Sequence, residues 1–359
     1  MGRRDARAPS RISMACLTAA LCAAMAAVLA YSTFTGAVSI PFDQVARILA
    51  NKIFGLGDIS DIRPATVAIV WELYAPRGLM GLVAGAGLAL VGVVMQSMVQ
   101  NPLADPYILG VSSGASLGAT FSILMGATVL SGTALAGVGL EAFAFAGAIA
   151  ASAAVFALSS VGGRSGAVKL ILSGMVVASV CGALSNFIIY LAPSSSGIRG
   201  LTFWLMGSLS VTGFASVALC GSVLLICLIF FATQARNLDS MMLGDDVATT
   251  LGVSLSSLRM VYMGLTSLMV AVLVCSCGLI GFVGLFIPHI GRALVGSSHW
   301  RLLPVSVLLG AIFMMGADIA ARSFTASDIP IGIIAAICGT PVFAYIMIKK
   351  SYGFGAESR

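Results

Sequence analysis

The sequence contains very little charge. Only 9% of its 359 residues are Asp, Glu, Lys or Arg, whereas an ordinary soluble domain carries about 25%. Hydrophobic residues make up 59%, and the mean hydropathy is +1.06. Such a chain cannot surround a core with polar side chains, so a soluble globule and an intrinsically disordered chain are both excluded. The composition therefore predicts a membrane protein.

Two common catalytic motifs are also missing. The chain has no G-x-x-x-x-G-K-[ST] phosphate loop and no H-E-x-x-H zinc motif. Its two histidines, His289 and His299, are expected at helix ends. The eight cysteines lie in apolar segments, which favours neither a disulfide framework nor a zinc site. We therefore predict a protein that is not an enzyme, with no catalytic residue, metal or cofactor of its own.

Long segments without charged residues run through the chain. Most of them reach the roughly 20 residues that a membrane-spanning helix needs. The predicted fold class is all-α, with one polytopic transmembrane domain over residues 1–359. Divided at turn signals, the apolar segments predict about ten transmembrane helices, near residues 12–32, 78–98, 108–128, 142–162, 170–191, 213–233, 258–277, 280–296, 303–322 and 331–348.

The first apolar segment has an alternative interpretation as a secretory signal. Arg3, Arg4, Arg7 and Arg11 precede it, as basic residues precede the apolar core of a signal peptide. The segment runs from residue 12 to about 32, however, and a signal core has only about 7–15 residues. We interpret it as the first transmembrane helix.

Lysine and arginine are unevenly divided between the two predicted sides of the membrane. An even number of helices places both termini on one side, which also receives Arg236, Arg259 and Arg292. By the positive-inside rule this richer side is cytoplasmic. The sequence thus predicts a multi-pass membrane protein with cytoplasmic tails at residues 1–11 and 350–359.

Two connections between the predicted helices are long. The outer one, about residues 35–76, has the apolar spacing of a short amphipathic helix that lies on the bundle. The inner one, residues 236–257, is polar and contains Asp239, Asp245 and Asp246 on a side that is otherwise positive. This acidic loop is a candidate functional segment.

Ionisable residues are almost absent from the predicted spans. Asp318 lies within the ninth span, four residues before Arg322, so an ion pair on one helix face is available. A transporter driven by protons or sodium normally needs more such groups. If the chain is a transporter, its energy is therefore expected to come from elsewhere. A stand-alone secondary transporter and a structural membrane subunit remain open as alternatives.

Residues 75–119 contain the most informative motifs. A glycine-rich helix ends in a polar turn, where Asn101-Pro102 breaks the helix, and a second helix rich in small residues starts near Gly110. The segment resembles the FecCD family of ABC-importer permeases, whose pattern is close to R-x-P-R, a helix ending in Gln, N-P-L-A-x-P and L-G-x-x-x-G-A. Further matches follow in order, as GSL at 207–209, LGDDVATTLGV at 243–253, GLIGFVGLFIPHIGR at 278–292 and IPIGIIAAICGTPVFAYIM at 329–347.

The resemblance implies a particular assembly and activity. Members of the family move iron–siderophore complexes, haem or cobalamin into the cytoplasm. They have ten helices per subunit and work as a homodimer with two cytoplasmic ABC ATPase subunits, which hold ATP and Mg²⁺, and with an extracytoplasmic substrate-binding protein. Apart from these proteins the expected partner is membrane lipid, with no nucleic acid.

The resemblance also implies roles for residues on the cytoplasmic side. In this family the connection that corresponds to residues 236–257 docks on the ATPase, and we call it the coupling loop. Its Gly244 and Gly252 would allow tight turns, and Asp245 and Asp246 would cap a helix. The residues expected to couple to the ATPase are Asp239, Leu243, Gly244, Asp245, Asp246, Leu251 and Gly252. The residues expected at the cytoplasmic gate are Asn101, Leu103, Gly166 and Ala167, although a relative carries hydroxyl residues at the last two positions.

Other roles fall on the outer side and on the fifth helix. Arg77 and Arg322 match positions that dock the binding protein through exposed ion pairs, and Tyr74 replaces the first arginine of R-x-P-R. The small and weakly polar residues expected to line the pathway are Ser173, Gly174, Ser179, Ser185 and Asn186.

Overall fold

The computed structural model describes residues 11–36, 38, 40–126, 138–161, 167–192, 195–210, 212–252, 254–323 and 328–349. These residues form helices joined mostly by short loops, and none of them belongs to a β-strand. The predicted all-α fold class is confirmed.

The helices are numbered in chain order. They are α1 (Arg11–Phe34), α2 (Phe42–Phe54), α3 (Pro64–Ala68), α4 (Ala75–Met98), α5 (Val111–Leu124), α6 (Leu140–Ser160), α7 (Ala167–Leu191), α8 (Ser195–Leu205), α9 (Phe214–Thr233), α10 (Ala235–Met242), α11 (Asp245–Thr250), α12 (Leu255–Cys277), α13 (Val283–Val295), α14 (His299–Ser323) and α15 (Ile331–Lys349). A π-helical stretch, Ile69–Tyr74, joins α3 to α4, and a 3₁₀ turn, Pro106–Leu109, precedes α5.

Within the described ranges, seven helices are long and apolar enough to cross a membrane. They are Ser13–Phe34, Pro64–Met98, Leu140–Ser160, Val168–Leu191, Phe214–Thr233, Leu255–Cys277 and His299–Ser323. Three shorter apolar helices, Val111–Leu124, Val283–Val295 and Ile331–Tyr345, fall on the third, eighth and tenth predicted spans. Each of the ten predicted segments therefore contains a helix. The second begins at Pro64 rather than near residue 78, because the π-helical stretch continues it without a break.

The core of the bundle is built around α4. Nearly every side chain of α4 is buried, and α4 packs against α9, α12, α13 and α14. A Cβ atom added to Gly85 would overlap the carbonyl oxygen of Gly310 in α14, and one on Gly92 would overlap that of Gly284 in α13. Glycine at these two positions thus lets three helix backbones approach closely, as the small-residue pattern predicts.

The predicted amphipathic helix between residues 35 and 76 is α2. Its Val45 and Ile48 are buried in a small hydrophobic cluster separate from the main core, whereas Phe54 is 72% exposed. The helix ends at Gly55, whose φ of 68° is the left-handed conformation common at helix C-termini. This prediction is confirmed.

The two ends of α4 carry the two candidate sites. Its 24 residues extend about 36 Å at 1.5 Å per residue. We call one end of the bundle the Arg77 end and the other the Met98 end, after residues near the two termini of α4.

Candidate functional site

The loop predicted to couple to an ATPase lies at the Met98 end and forms the two short helices α10 and α11. Gly244, between them, has a φ of 110°, and Gly252, after α11, has a φ of 83°. Glycine adopts these left-handed angles at little cost, whereas other residues are strained there. The predicted tight turns at both glycines are confirmed.

Apolar side chains project outward from this loop. Leu243 is 65% exposed, Val247 is 45% exposed and Leu251 is 62% exposed. Val247 and Leu251, four residues apart at α11, share a helix face, and Leu243 lies just before the turn at Gly244. We call these three exposed side chains the coupling strip. Three large apolar side chains exposed on one short loop indicate contact with another protein or with lipid.

The Asp245 carboxylate points back into the bundle. Arg259 donates from Nη2 to Oδ1 over 2.7 Å and from Nη1 to Oδ2 over 2.9 Å, and Gln100 Nε2 donates to Oδ1 over 2.5 Å. The hydrogen bonds from Arg259 lower the pKa of the Asp245 carboxyl group. The predicted capping by Asp245 and Asp246 is wrong, because Gly244 is the N-cap residue of α11 and no side chain caps it.

Asp239 in α10 binds the first residue of α14. Its Oδ1 accepts hydrogen bonds from the His299 backbone N–H, at 2.9 Å, and from His299 Nδ1, at 2.5 Å. On the opposite side of the imidazole, His299 Nε2 lies 2.5 Å from Ser97 Oγ in the last turn of α4. The expected helix-end position is confirmed for His299. The carboxylate of Asp239 is thus engaged within the chain.

Two predicted gate residues, Asn101 and Leu103, lie in the loop that follows α4. Asn101 Oδ1 accepts a hydrogen bond from the backbone N–H of Leu103 over 2.9 Å, which forms a tight turn. Gln100, just before it, has a φ of 55°, an uncommon value for a residue other than glycine. His289 Nε2 lies 2.8 Å from the Pro102 carbonyl oxygen. His289 lies in the middle of α13, so its expected helix-end position is wrong.

The other two predicted gate residues are not described in contact with this loop. Gly166 lies outside the described residues, and Ala167 is the first residue of α7. Their participation in a gate stays a prediction.

The residues predicted to line a pathway divide between two faces of α7. Ser173 and Gly174 are buried within the chain, Ser185 is half-buried, and Ser179 and Asn186 are exposed. Only the last two project clearly away from the rest of the chain. Seven residues apart, they share one helix face.

At the Arg77 end, the two arginines predicted to dock a binding protein are buried. Arg77 is 8% exposed and Arg322 is 4% exposed. Arg77 donates from Nε to Asp318 Oδ1 over 2.8 Å and from Nη1 to Asp328 Oδ2 over 2.6 Å. Arg322 Nη2 lies 2.9 Å from Asp318 Oδ2. The predicted pair of Asp318 with Arg322 is confirmed, and the expectation that both arginines are exposed is wrong. Their docking role stays a prediction.

Tyr74 and Ser210 complete this charge cluster. The Arg322 guanidinium lies 5.7 Å from the centre of the Tyr74 ring, a cation–π distance. Ser210 Oγ donates to Asp328 Oδ2 over 2.8 Å. Burial alone would raise the pKa of Asp328, but the hydrogen bonds from Arg77 and Ser210 lower it. Two arginines and two aspartates therefore neutralise one another.

Sequence reasoning did not identify several residues that hold the Met98 end together. Ser97, Gln100, Arg259 and His299 each contact the coupling loop or its partners. Ser97 and His299 are 202 positions apart in the chain, and no local pattern connects residues at that separation. The available signal was weak, since Arg259 and His299 lie only near predicted helix ends on the same side.

The helical bundle with its two-helix loop is that of a multi-span membrane permease. Residues 23–349 match the profile of the FecCD transport family. The chain belongs to this family of ABC transporter permeases.

Individual relatives are similar over most of their length. The ABC transporter permease protein YvrB of Bacillus subtilis is 38% identical over 89% of both chains. The cobalamin import system permease protein BtuC of Halobacterium salinarum is 37% identical over 78% of this chain and 73% of its own. The molybdate import system permease protein MolB of Haemophilus influenzae is 33% identical over 89% of this chain and 91% of its own.

One solved structure has the same fold over nearly the whole chain. It is an ABC transporter described as metal-chelate type, in an inward-facing conformation. Its TM-score is 0.77 at 30% sequence identity, and the alignment covers 94% of this chain and 100% of the other.

Proposed function

We propose that this chain is the membrane permease subunit of an ABC importer for an iron chelate (siderophore or haem) or cobalamin. The observation that carries the proposal is the coupling strip, formed by Leu243, Val247 and Leu251. The strip is exposed, while Asp239 and Asp245 beside it are bonded into the bundle. A partner that binds the strip and moves would therefore also move the start of α12, which Asp245 binds, and the start of α14, which Asp239 binds.

The partner of the coupling strip in this proposal is a cytoplasmic ABC ATPase. The sequence pattern assigns most lysines and arginines to the side of the membrane that carries residues 236–257, and the positive-inside rule makes that side cytoplasmic. ATP and Mg²⁺ bind the ATPase, because the permease sequence has no phosphate loop. Two permease chains, each crossing the membrane ten times, two ATPases and an extracytoplasmic binding protein complete the importer.

The exposed face of α7 supports a large substrate. Ser179 and Asn186 share this face with Gly182, and all three are exposed. Between Leu170 and Leu191 the helix contains no charged residue. A pathway lined by such a face offers a bulky ligand few strong contacts, which favours release, and offers a small oxyanion no positive charge. The cobalamin permease and the metal-chelate transporter among the similar proteins agree with this preference. The molybdate permease is the exception.

Uptake into proteoliposomes tests the proposal. The permease is reconstituted with its partner ATPase and binding protein, and uptake of ferric siderophore, haem, cobalamin and molybdate is compared. We expect ATP-dependent uptake of a chelate or cobalamin, abolished when the phosphate-loop lysine of the ATPase is replaced by alanine.

The other outcomes separate the alternatives. Uptake that needs a proton or sodium gradient but no ATP would instead support a secondary transporter. Uptake of molybdate alone would overturn the substrate assignment. A stable complex that transports none of the four compounds would favour a structural subunit.

A further inference from the structure

Two aspartates of the coupling loop reach the same end of α4 by separate routes. Asp239 contacts Ser97 through the imidazole of His299, with 2.5 Å on each side of the ring. Asp245 binds Gln100 directly, again at 2.5 Å. Ser97 and Gln100 lie immediately before the predicted gate residues Asn101 and Leu103. The loop is therefore joined to the start of the gate segment at two points.

We propose that Ser97 and His299 are positioning residues that, together with Asp239, transmit movement of the coupling loop to the gate segment after α4. We call these three residues the histidine link. The inference rests on the proposed function, since it concerns how an ATPase bound at the coupling strip would act on the gate.

Hydrogen-bond geometry makes the histidine link stiff. Asp239 Oδ1 holds Nδ1, and Ser97 Oγ holds Nε2, so the imidazole has a partner on both nitrogens. Ser97 and His299 are completely buried, and hydrogen bonds in such a low-dielectric environment are strong and directional. A displacement of α10 therefore moves the ring and the last turn of α4 together.

The end of the link at α10 is open to a partner. The Asp239 side chain is 40% exposed, and it borders a cleft of about 590 Å³ that also contacts Arg236, Ser298 and Trp300. The Asp239 carboxylate is therefore accessible from outside the chain.

The other end of the link lies next to a constrained turn. The Ser97 carbonyl oxygen accepts the backbone N–H of Gln100 over 3.3 Å, and Gln100 holds a φ of 55°. A glutamine in this conformation is strained and persists only where neighbouring groups hold it. Asp245 is such a neighbour. A shift at Ser97 or at Asp245 thus favours a change in the turn that begins the gate segment.

The order Ser97, His299 and Asp239 also matches that of a serine hydrolase triad. Burial excludes this interpretation. Ser97 and His299 have 0% exposure, so no substrate reaches the hydroxyl group.

The ratio of substrate transported to ATP hydrolysed tests the histidine link in the complete importer. We expect Ser97→Ala and His299→Phe each to lower this ratio roughly five-fold or more, the range of typical coupling energies, while ATP hydrolysis continues. The double variant should be no worse than either single one, because both remove the same connection. Ser97→Thr, which keeps the hydroxyl group, should restore the ratio.

Ser298→Ala is the matched control. Ser298 donates to Asp239 Oδ2 over 3.4 Å but does not lead to α4. A normal ratio in folded Ser97→Ala and His299→Phe importers would overturn the proposal. So would additive losses in the double variant, or an equal loss in Ser298→Ala.

Hydrogen exchange keeps the inference separable from the proposed function. In the permease alone, Asp239→Asn and Ser97→Ala should speed amide exchange at residues 100–105, and Ser298→Ala should not. If the wild type shows no ATP-driven uptake, the proposed function fails, and exchange still decides whether the link holds the gate segment. Unchanged exchange at residues 100–105 in both variants would overturn the link itself.

Discussion

Arg77 in α4 and Asp318 in α14 form a buried ion pair, with Arg77 Nε 2.8 Å from Asp318 Oδ1 and side-chain exposures of 10% and 2%. The same arginine binds Asp328, which precedes α15. Three parts of the chain are therefore tied at one point. Both charges are buried, so removing one partner leaves the other with an uncompensated charge. Breaking the pair therefore costs more free energy than the intact pair contributes to stability.

Replacement of Asp318 by Asn should strongly destabilise the protein. Arg77 and Arg322 would both lose the carboxylate between them, and removing one member of a buried ion pair costs about 3–5 kcal/mol. Thermal unfolding of the detergent-solubilised permease measures the effect. Asp61→Asn is the control, because it breaks an exposed pair with Arg47 and should change unfolding little. Equal shifts for the two variants would contradict this assignment.

Charge reversal at Arg322 should reduce the yield of folded protein before any effect on docking. A glutamate there would face Asp318, which now lies 2.9 Å from the guanidinium. Arg199→Glu, on an exposed residue of α8, should leave the yield unchanged. Binding-protein association rates at two salt concentrations complete the comparison. The docking role of Arg77 and Arg322 would gain support from a well-folded double charge-reversal variant with slower association, most clearly at low salt.

The coupling strip should be necessary for ATPase binding but not for folding. Leu243→Asp and Leu251→Asp place charge on side chains that are 65% and 62% exposed, so the permease should unfold at a normal temperature. Recovery of the ATPase with the purified permease should fall several-fold. Phe54→Asp, at an equally exposed apolar residue of α2, should have no such effect. Full recovery of the ATPase with both leucines replaced would remove the strip from the proposed interface.

The Asp245–Arg259 pair should be insensitive to pH in the physiological range. The hydrogen bonds that Arg259 donates to the Asp245 carboxylate hold the pKa of Asp245 below the ordinary value of 3.8. A carboxyl group with a lowered pKa contributes stability that is present above its unfolded pKa and is lost as pH falls through its folded pKa. The difference in unfolding temperature between wild type and Asp245→Asn should therefore stay constant from about pH 5 to 8 and shrink only below about pH 4. A difference that changes steadily across pH 5 to 8 would contradict this.

Local features of the sequence were sufficient to predict much of the molecule. Hydropathy and length located ten helical segments, because a helix in lipid satisfies its own backbone hydrogen bonds and needs only apolar side chains outside. The turns at Gly244 and Gly252 were predictable because a left-handed backbone favours glycine. The pair of Asp318 with Arg322 was predictable because residues four apart on a helix are neighbours.

Tertiary structure alone decided which charged groups are buried and what they bind. The loop sequence predicts Asp245 as a helix cap, and the family resemblance predicts Arg77 as an exposed docking residue, but neither predicts the partner that each residue binds. Their partners, Arg259 and Asp318, lie 14 and 241 positions away. The sequence determined that this chain forms a membrane bundle with an acidic loop at one end. Only the packing of α4 against α14, and of α11 against α12, brought these charges close enough to pair. The energy of an ion pair depends on separation and burial in space rather than on distance along the chain.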